Sequence, residues 1–172
     1  HWIGGMGVLV FVMAVVPAAN DRSIHIMRAE MPGPIIGKLV PRAGDTAKIL
    51  YLIYVGITVI EIILLCLGGM PLFDSLVNTF GTVGTGGLAI KPDSYASYSP
   101  YLQWVTTVFM LICGINFNLY YLILVKRFKS AIRSEELWCY LIIVLIVTAV
   151  ISVDILPLYN GIGDAVRHSA FQ

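Results

Sequence analysis

Four apolar runs dominate the chain, at about Ile3–Ala19, Ile49–Leu67, Leu102–Val125 and Leu137–Leu156. Each is close to the ~20 residues an α-helix needs to cross ~30 Å of hydrocarbon. A soluble domain of this length has no room to bury four such helices, so the expected class is an all-α membrane protein. Composition agrees: 58% of residues are hydrophobic and 12% charged, against about 45–50% and about 25% in an ordinary soluble domain. That balance excludes a disordered chain, a nucleic-acid binder and a typical cytosolic enzyme. The partner it implies is the lipid bilayer.

The charges sort to one side of these spans. Arg22, Arg28, Lys38, Arg42 and Lys48 lie between the first and second, and Lys126, Arg127, Lys129 and Arg133 between the third and fourth. The long connection Gly68–Tyr101 holds only Lys91. Basic loops stay in the cytoplasm, so the first and third connections are expected inside and the second outside. Tyr95, Tyr98, Tyr101 and Trp104 sit where an interfacial aromatic belt is expected.

The outward connection is unusual. In Pro71–Phe80, residues Leu72, Phe73, Leu76, Val77 and Phe80 share one helical face. Pro71 suits a first helical position. The segment is too short to span a bilayer but fits a re-entrant half-helix. It runs into Gly81-Thr82-Val83-Gly84-Thr85-Gly86-Gly87-Leu88, where glycines end a helix. Irregular backbone at membrane depth survives only within protein or along a water-filled cavity. Helix, half-helix, glycine-rich turn, helix is the layout of a pore loop. Its carbonyl oxygens would replace the hydration shell of a cation such as K⁺, and the half-helix would turn its negative C-terminal end towards that ion.

Other chemistries fit less well. A phosphate-binding loop needs Gly-Lys-Ser/Thr, whereas Gly86-Gly87 runs into Leu88-Ala89. Cys66, Cys113 and Cys139 are odd in number and lie in apolar runs, and His1, His25 and His168 are far apart, so neither a disulfide framework nor a metal site is expected. No cofactor is expected. Gly161-Ile162-Gly163-Asp164 matches a signature of intramembrane aspartyl proteases. That reading is an alternative, although such an enzyme needs a second aspartate converging on the first. A helical membrane scaffold without a pore, and a small two-helix channel built by oligomerisation, are further alternatives.

The chain also repeats itself. Span two and its half-helix have a counterpart about ninety residues later in span four and Asp164–Ala170, and His1-Trp2 echoes Gln103-Trp104. With Trp2-Ile3-Gly4-Gly5-Met6-Gly7, the stretch Thr82–Leu88, Cys113-Gly114-Ile115-Asn116-Phe117-Asn118 and Arg167–Gln172, the sequence resembles the Trk/Ktr/HKT superfamily of potassium-translocating membrane subunits, most closely the bacterial Trk type. The resemblance covers essentially the whole chain. It implies a potassium-channel-like fold of helix–pore-loop–helix repeats, four per polypeptide around one pore. The chain would be an internal, incomplete part of it, with four spanning helices plus a re-entrant pore helix. Residues 1–19 would be the second helix of a preceding repeat and 20–48 a cytoplasmic linker. Residues 49–127 would form a complete repeat, with pore helix 71–81 and filter 82–88. Residues 128–136 would be a second linker, and 137–172 the first helix and pore helix of the next repeat.

The resemblance further implies K⁺ uptake in the bacterial inner membrane, a homodimeric membrane subunit and a cytosolic nucleotide-binding regulatory subunit. Two filter registers are open. Thr82-Val83-Gly84-Thr85-Gly86 copies a potassium-channel filter. The family pattern, Thr-x-Gly then a large apolar residue, favours Thr85-Gly86-Gly87-Leu88, with Leu88 where the family usually has Phe. Gly87 would then stand where Gly goes with K⁺ and Ser with Na⁺. Asn116 and Asn118 are candidates for lining the pore below the filter. Glu61, an intramembrane carboxylate, is expected to have a structural role, and Asp74 to complement the start of the pore helix. Gly4, Gly5 and Gly7 are expected to let helices pack closely.

Overall fold

A computed structural model describes residues 1–7, 43–158 and 161–171. The described residues form eight α-helices and no strands: α1 (Trp2–Gly5), α2 (Ala43–Leu67), α3 (Leu72–Val83), α4 (Pro100–Cys113), α5 (Phe117–Leu124), α6 (Phe128–Ile132), α7 (Glu135–Ile155) and α8 (Ile162–Phe171). Most of the first expected span and most of the first linker, with Arg22, Arg28, Lys38 and Arg42, lie outside the described residues.

Ala47–Leu67 and Glu135–Leu158, at 21 and 24 residues, are each long and apolar enough to cross a bilayer. Their lengths correspond to about 31 and 36 Å of helix. The first belongs to α2 and the second extends α7 through a 3₁₀ turn at Leu156–Leu158. These match spans two and four. The third span differs from expectation. Leu102–Val125 is not one rod but α4 and α5, bent by 86° about Gly114–Asn116. Three features hold the break. Asn116 caps α5, its side-chain oxygen accepting from Asn118 N–H at 3.0 Å. Carbonyls near the end of α4 find partners elsewhere: Tyr120 Oη donates to Ile112 O at 2.6 Å and Tyr140 Oη to Leu111 O at 3.2 Å. Gly114 leaves space for the Tyr140 hydroxyl, which a Cβ there would strike. Backbone groups released from a helix at membrane depth need such partners.

The half-helix α3 packs against both α2 and α4, and α8 packs against α7 and α4. The segment between α3 and α4 is tied down as well. Gln103 donates to Tyr95 O (2.9 Å) and Tyr98 O (3.3 Å), and Lys91 donates to Ser97 Oγ while lying 4.1 Å from the centre of the Tyr98 ring. Tyr95 does not join an interfacial belt. It is buried with Leu65, Met70 and Leu102, and its ring meets Phe171 of α8 at 5.0 Å. Burial pushes the Tyr95 hydroxyl up to about 12. Tyr101 and Trp104 remain exposed, as a belt requires.

Candidate functional site

The site starts from the two-sidedness of α3. Ser75, Asn78, Thr79, Thr82 and Val83 face inward and are buried, whereas Leu72, Phe73, Val77 and Phe80 are exposed. The sequence marks the apolar face clearly. Its outward direction is the surprise: small hydroxyl and amide side chains allow close approach to α2 and α4, and the bulky face is left for lipid or for further protein. Asp74 lies in the first turn, as expected, and accepts from Tyr98 Oη at 3.2 Å.

The helix runs to Val83, two residues beyond the expected end at 81, and stops in a closed turn. Thr85 N–H donates to Thr82 O at 3.0 Å, and Gly86 N–H donates to Gly81 O at 2.8 Å. This is a Schellman cap, which calls for a left-handed residue at the position of Thr85. Thr85 has φ +52°. A β-branched residue seldom adopts this conformation, and strain of this kind concentrates at functional sites. Its hydroxyl donates to Gly84 O at 2.8 Å. Gly87 follows with φ +64° and open space where a side chain would stand. The chain then folds back, so that a Cβ on Gly81 would lie 2.7 Å from Leu88 O.

The turn is backed by α1. A Cβ on Gly5 would lie 2.8 Å from Gly84 Cα and 2.6 Å from Tyr54 Oη. One on Gly84 would lie 3.0 Å from the backbone of His1 and Trp2. These contacts work only between glycines, which is the packing role expected of Gly5. Gly4 has open space around it instead. Tyr54 Oη donates to Trp2 O at 2.7 Å, Trp2 Nε1 donates to Thr58 Oγ1 at 3.0 Å, and the Trp2 ring lies between Tyr54 (5.3 Å) and Phe80 (5.6 Å).

The candidate residues fall at and just beyond the end of α3, at the bend between α4 and α5, and at the start of α8. Thr82 and Val83 belong to the last turn of α3; the Thr82 carbonyl accepts from Thr85, and its hydroxyl donates to Asn78 O at 2.9 Å. Gly84 is the cap residue. Thr85, Gly86, Gly87 and Leu88 lie beyond the helix and form the turn itself. Asn116 and Asn118 sit at the bend between α4 and α5, both buried; Asn116 also donates to the Glu136 carboxylate at 3.2 Å. Asp164 opens α8 and pairs with Arg167 at 3.0 Å, half-exposed. No cluster of three or more histidine, cysteine or acidic side chains able to hold a metal occurs among the described residues.

Apolar helices long enough to span a bilayer, joined by a short two-sided helix and a strained glycine turn, define a helical membrane protein. Residues 1–158 match the family model described as TrkH, cation transport protein, and the chain belongs to that family. Over 129 residues it is 38% identical to the Trk system potassium uptake protein TrkH of Salmonella typhimurium, covering 74% of this chain and 27% of that protein. It is 34% identical to the Trk system potassium uptake protein TrkG of Escherichia coli over 176 residues, 99% of this chain and 36% of TrkG. The crystal structure of the potassium transporter TrkH from Vibrio parahaemolyticus superposes with a TM-score of 0.75 at 27% identity, covering 99% of this chain and 34% of that one. The chain thus spans about a quarter to a third of the length of these relatives.

Proposed function

We propose that this chain is part of a K⁺ uptake system of the bacterial inner membrane, and that Thr85, Gly86, Gly87 and Leu88 form one loop of its selectivity filter. The observation that carries the reading is the end of α3. A half-helix held on its polar face delivers its negative end to a strained turn, and that turn starts where the helix has used the carbonyls of Gly81 and Thr82. Backbone oxygens of 85–88 follow directly, and such oxygens substitute for the hydration shell of a cation. The alternative set, Thr82, Val83 and Gly84, is less suited, because two of its members are helical and the Thr82 carbonyl is occupied.

In this reading residues 49–127 are a complete helix–pore-loop–helix repeat, bent in its second helix. Residues 137–172 begin the next, and 1–19 end the one before. The exposed face of α3 is covered by the remaining repeats. Assembly as a homodimer with a cytosolic nucleotide-binding regulatory subunit completes the system. K⁺ is the cargo and no covalent chemistry is involved. The names of the relatives and the family match support potassium transport over a protease. The ion pair of Asp164 with Arg167 also leaves that aspartate poorly placed to share a proton with another acid.

The test is Gly87→Ser in the full-length protein, expressed in bacteria lacking other K⁺ uptake. A side chain at φ +64° strains the turn whatever the space around it. K⁺ uptake is expected to fall at least tenfold at low external K⁺. Unchanged uptake and unchanged ion preference would overturn this register.

A further inference from the structure

The short connection between α5 and α7 carries four cations and no acid of its own. Lys126, Arg127, Lys129 and Arg133 are all exposed, and none of them forms an ion pair among the described residues. The next acids along the chain, Glu135 and Glu136, open α7, and the Glu136 carboxylate accepts from Asn116 instead. The negative end of α5 offers Lys126 and Arg127 about half a charge between them. Most of the positive charge stays unmet.

The connection is nevertheless a built piece of structure. Helix α5 ends in a Schellman cap, with Lys126 N–H donating to Ile123 O at 3.0 Å and Arg127 N–H to Leu122 O at 2.9 Å. Lys126 takes the left-handed position at φ +58°, where glycine is usual. Helix α6 then packs back on α5, its Ala131 buried with Leu119 and Leu122. On the other side, Trp138 in the first turn of α7 donates its indole N–H to Ile132 O at 2.9 Å.

Two rows of side chains run along this piece. Phe128 and Ile132, four residues apart, are 52% and 60% exposed. Lys129 and Arg133, also four apart, form the neighbouring row. Leu124, Val125 and Trp138 are exposed as well. Water penalises so many large apolar side chains in one place, whereas a bilayer interface takes apolar and aromatic groups beside cations. Depth agrees. Trp138 stands at the start of the apolar span Glu135–Leu158, so its indole and the Ile132 carbonyl bonded to it lie where that span meets the headgroups.

The geometry points to a docking surface for anionic phospholipid headgroups of the inner leaflet, formed by Lys126, Arg127, Lys129 and Arg133, with Phe128 and Ile132 seated at the edge of the acyl chains. Charge complementarity selects this occupant. Basic residues clustered at the cytoplasmic end of a membrane helix attract anionic lipid, and the attraction fades within a Debye length of the surface. These four sit within that reach because α6 is held at the level of Trp138.

The inference rests on the inner-membrane placement proposed above, with this connection on the cytoplasmic side, and not on the filter. Purified full-length protein is titrated with phosphatidylglycerol and, separately, with phosphatidylcholine, and bound lipid is measured by native mass spectrometry. Wild type is compared with the variant carrying Lys126→Gln, Arg127→Gln, Lys129→Gln and Arg133→Gln. Each basic residue near an anionic surface is worth about fivefold in binding. Affinity of the variant for phosphatidylglycerol is therefore expected to fall at least about tenfold, with phosphatidylcholine affected less than about twofold. If the four-site variant does not fold, the pair Lys129→Gln and Arg133→Gln, which leaves the cap of α5 alone, is read in the same way. Unchanged phosphatidylglycerol affinity, or an equal loss for both lipids, would overturn the inference. Unchanged lipid binding with weakened binding of the regulatory subunit would give the surface to that protein and overturn it too. The placement is checked separately with Lys129→Cys and a membrane-impermeant thiol reagent, against the unsubstituted protein. Added labelling only in inverted vesicles is expected, whereas added labelling of intact cells would overturn the placement itself.

Discussion

Helices α2 and α7 are alike in length and apolarity yet differ in what they touch. In α2, Leu50, Tyr54 and Leu65 are fully buried along with Glu61, and polar side chains are used at defined places: Tyr54 on Trp2 and Thr58 under the Trp2 indole. In α7 no described residue is buried, and Leu145 and Val153 stand out at 69% and 73% exposure. The difference teaches that apolarity alone puts a helix in the bilayer, while a few polar groups and glycines decide what it is fixed against. The helix that carries them is the one that frames the glycine turn.

The comparison can be broken in four ways. The largest effect is expected from Gly5→Val, which forces a branched side chain into Gly84 and Tyr54. Overpacking of this kind costs about 3 kcal/mol, and the full-length protein should lose both thermal stability in detergent and K⁺ uptake. Leu65→Ala comes next, at about 2 kcal/mol for a cavity in a fully buried position. It is read in the same melting assay, with uptake less affected than by Gly5→Val. Tyr54→Phe removes the hydroxyl from Trp2 O and should cost about 1 kcal/mol, with ion preference shifting before stability does, because α1 backs the turn. The smallest effect belongs to α7: Leu145→Ala should change stability by less than about 0.5 kcal/mol, as surface positions do. A melting shift equal to that of Leu65→Ala would show that α7 is as tightly embraced as α2 in the full-length protein and would remove the contrast.

Much of this was legible in the sequence, unevenly and for physical reasons. Spans two and four, α3 and α8 each leave a periodic or uninterrupted apolar signal, and each is found within a few residues of its expected bounds. The bend in the third span is different. Gly114 and Asn116 look like packing residues in any apolar helix, and what permits the break is Tyr140, supplied by a helix some twenty-five residues away. Tyr95 misleads for a similar reason, since an aromatic residue near a helix end fits a membrane interface as well as it fits a core, and only the docking of Phe171 decides. At the candidate site the glycine turn was readable as a turn. Where the helix ends was not readable: hydrogen bonds fix Thr82 within the helix and Thr85 beyond it, and the proposed register starts from there. Glu61 was visible as an intramembrane acid, but its complete burial follows from how α2 packs and not from its neighbours along the chain.

The most direct measurement of the central claim is the reversal potential of the full-length protein in planar bilayers under opposed K⁺ and Na⁺, for wild type and Gly87→Ser. A filter built on Thr85–Leu88 predicts a potential close to the K⁺ equilibrium value for wild type and a clear shift towards the Na⁺ value for the variant. Identical potentials for the two would place ion selection elsewhere in the protein and contradict the account.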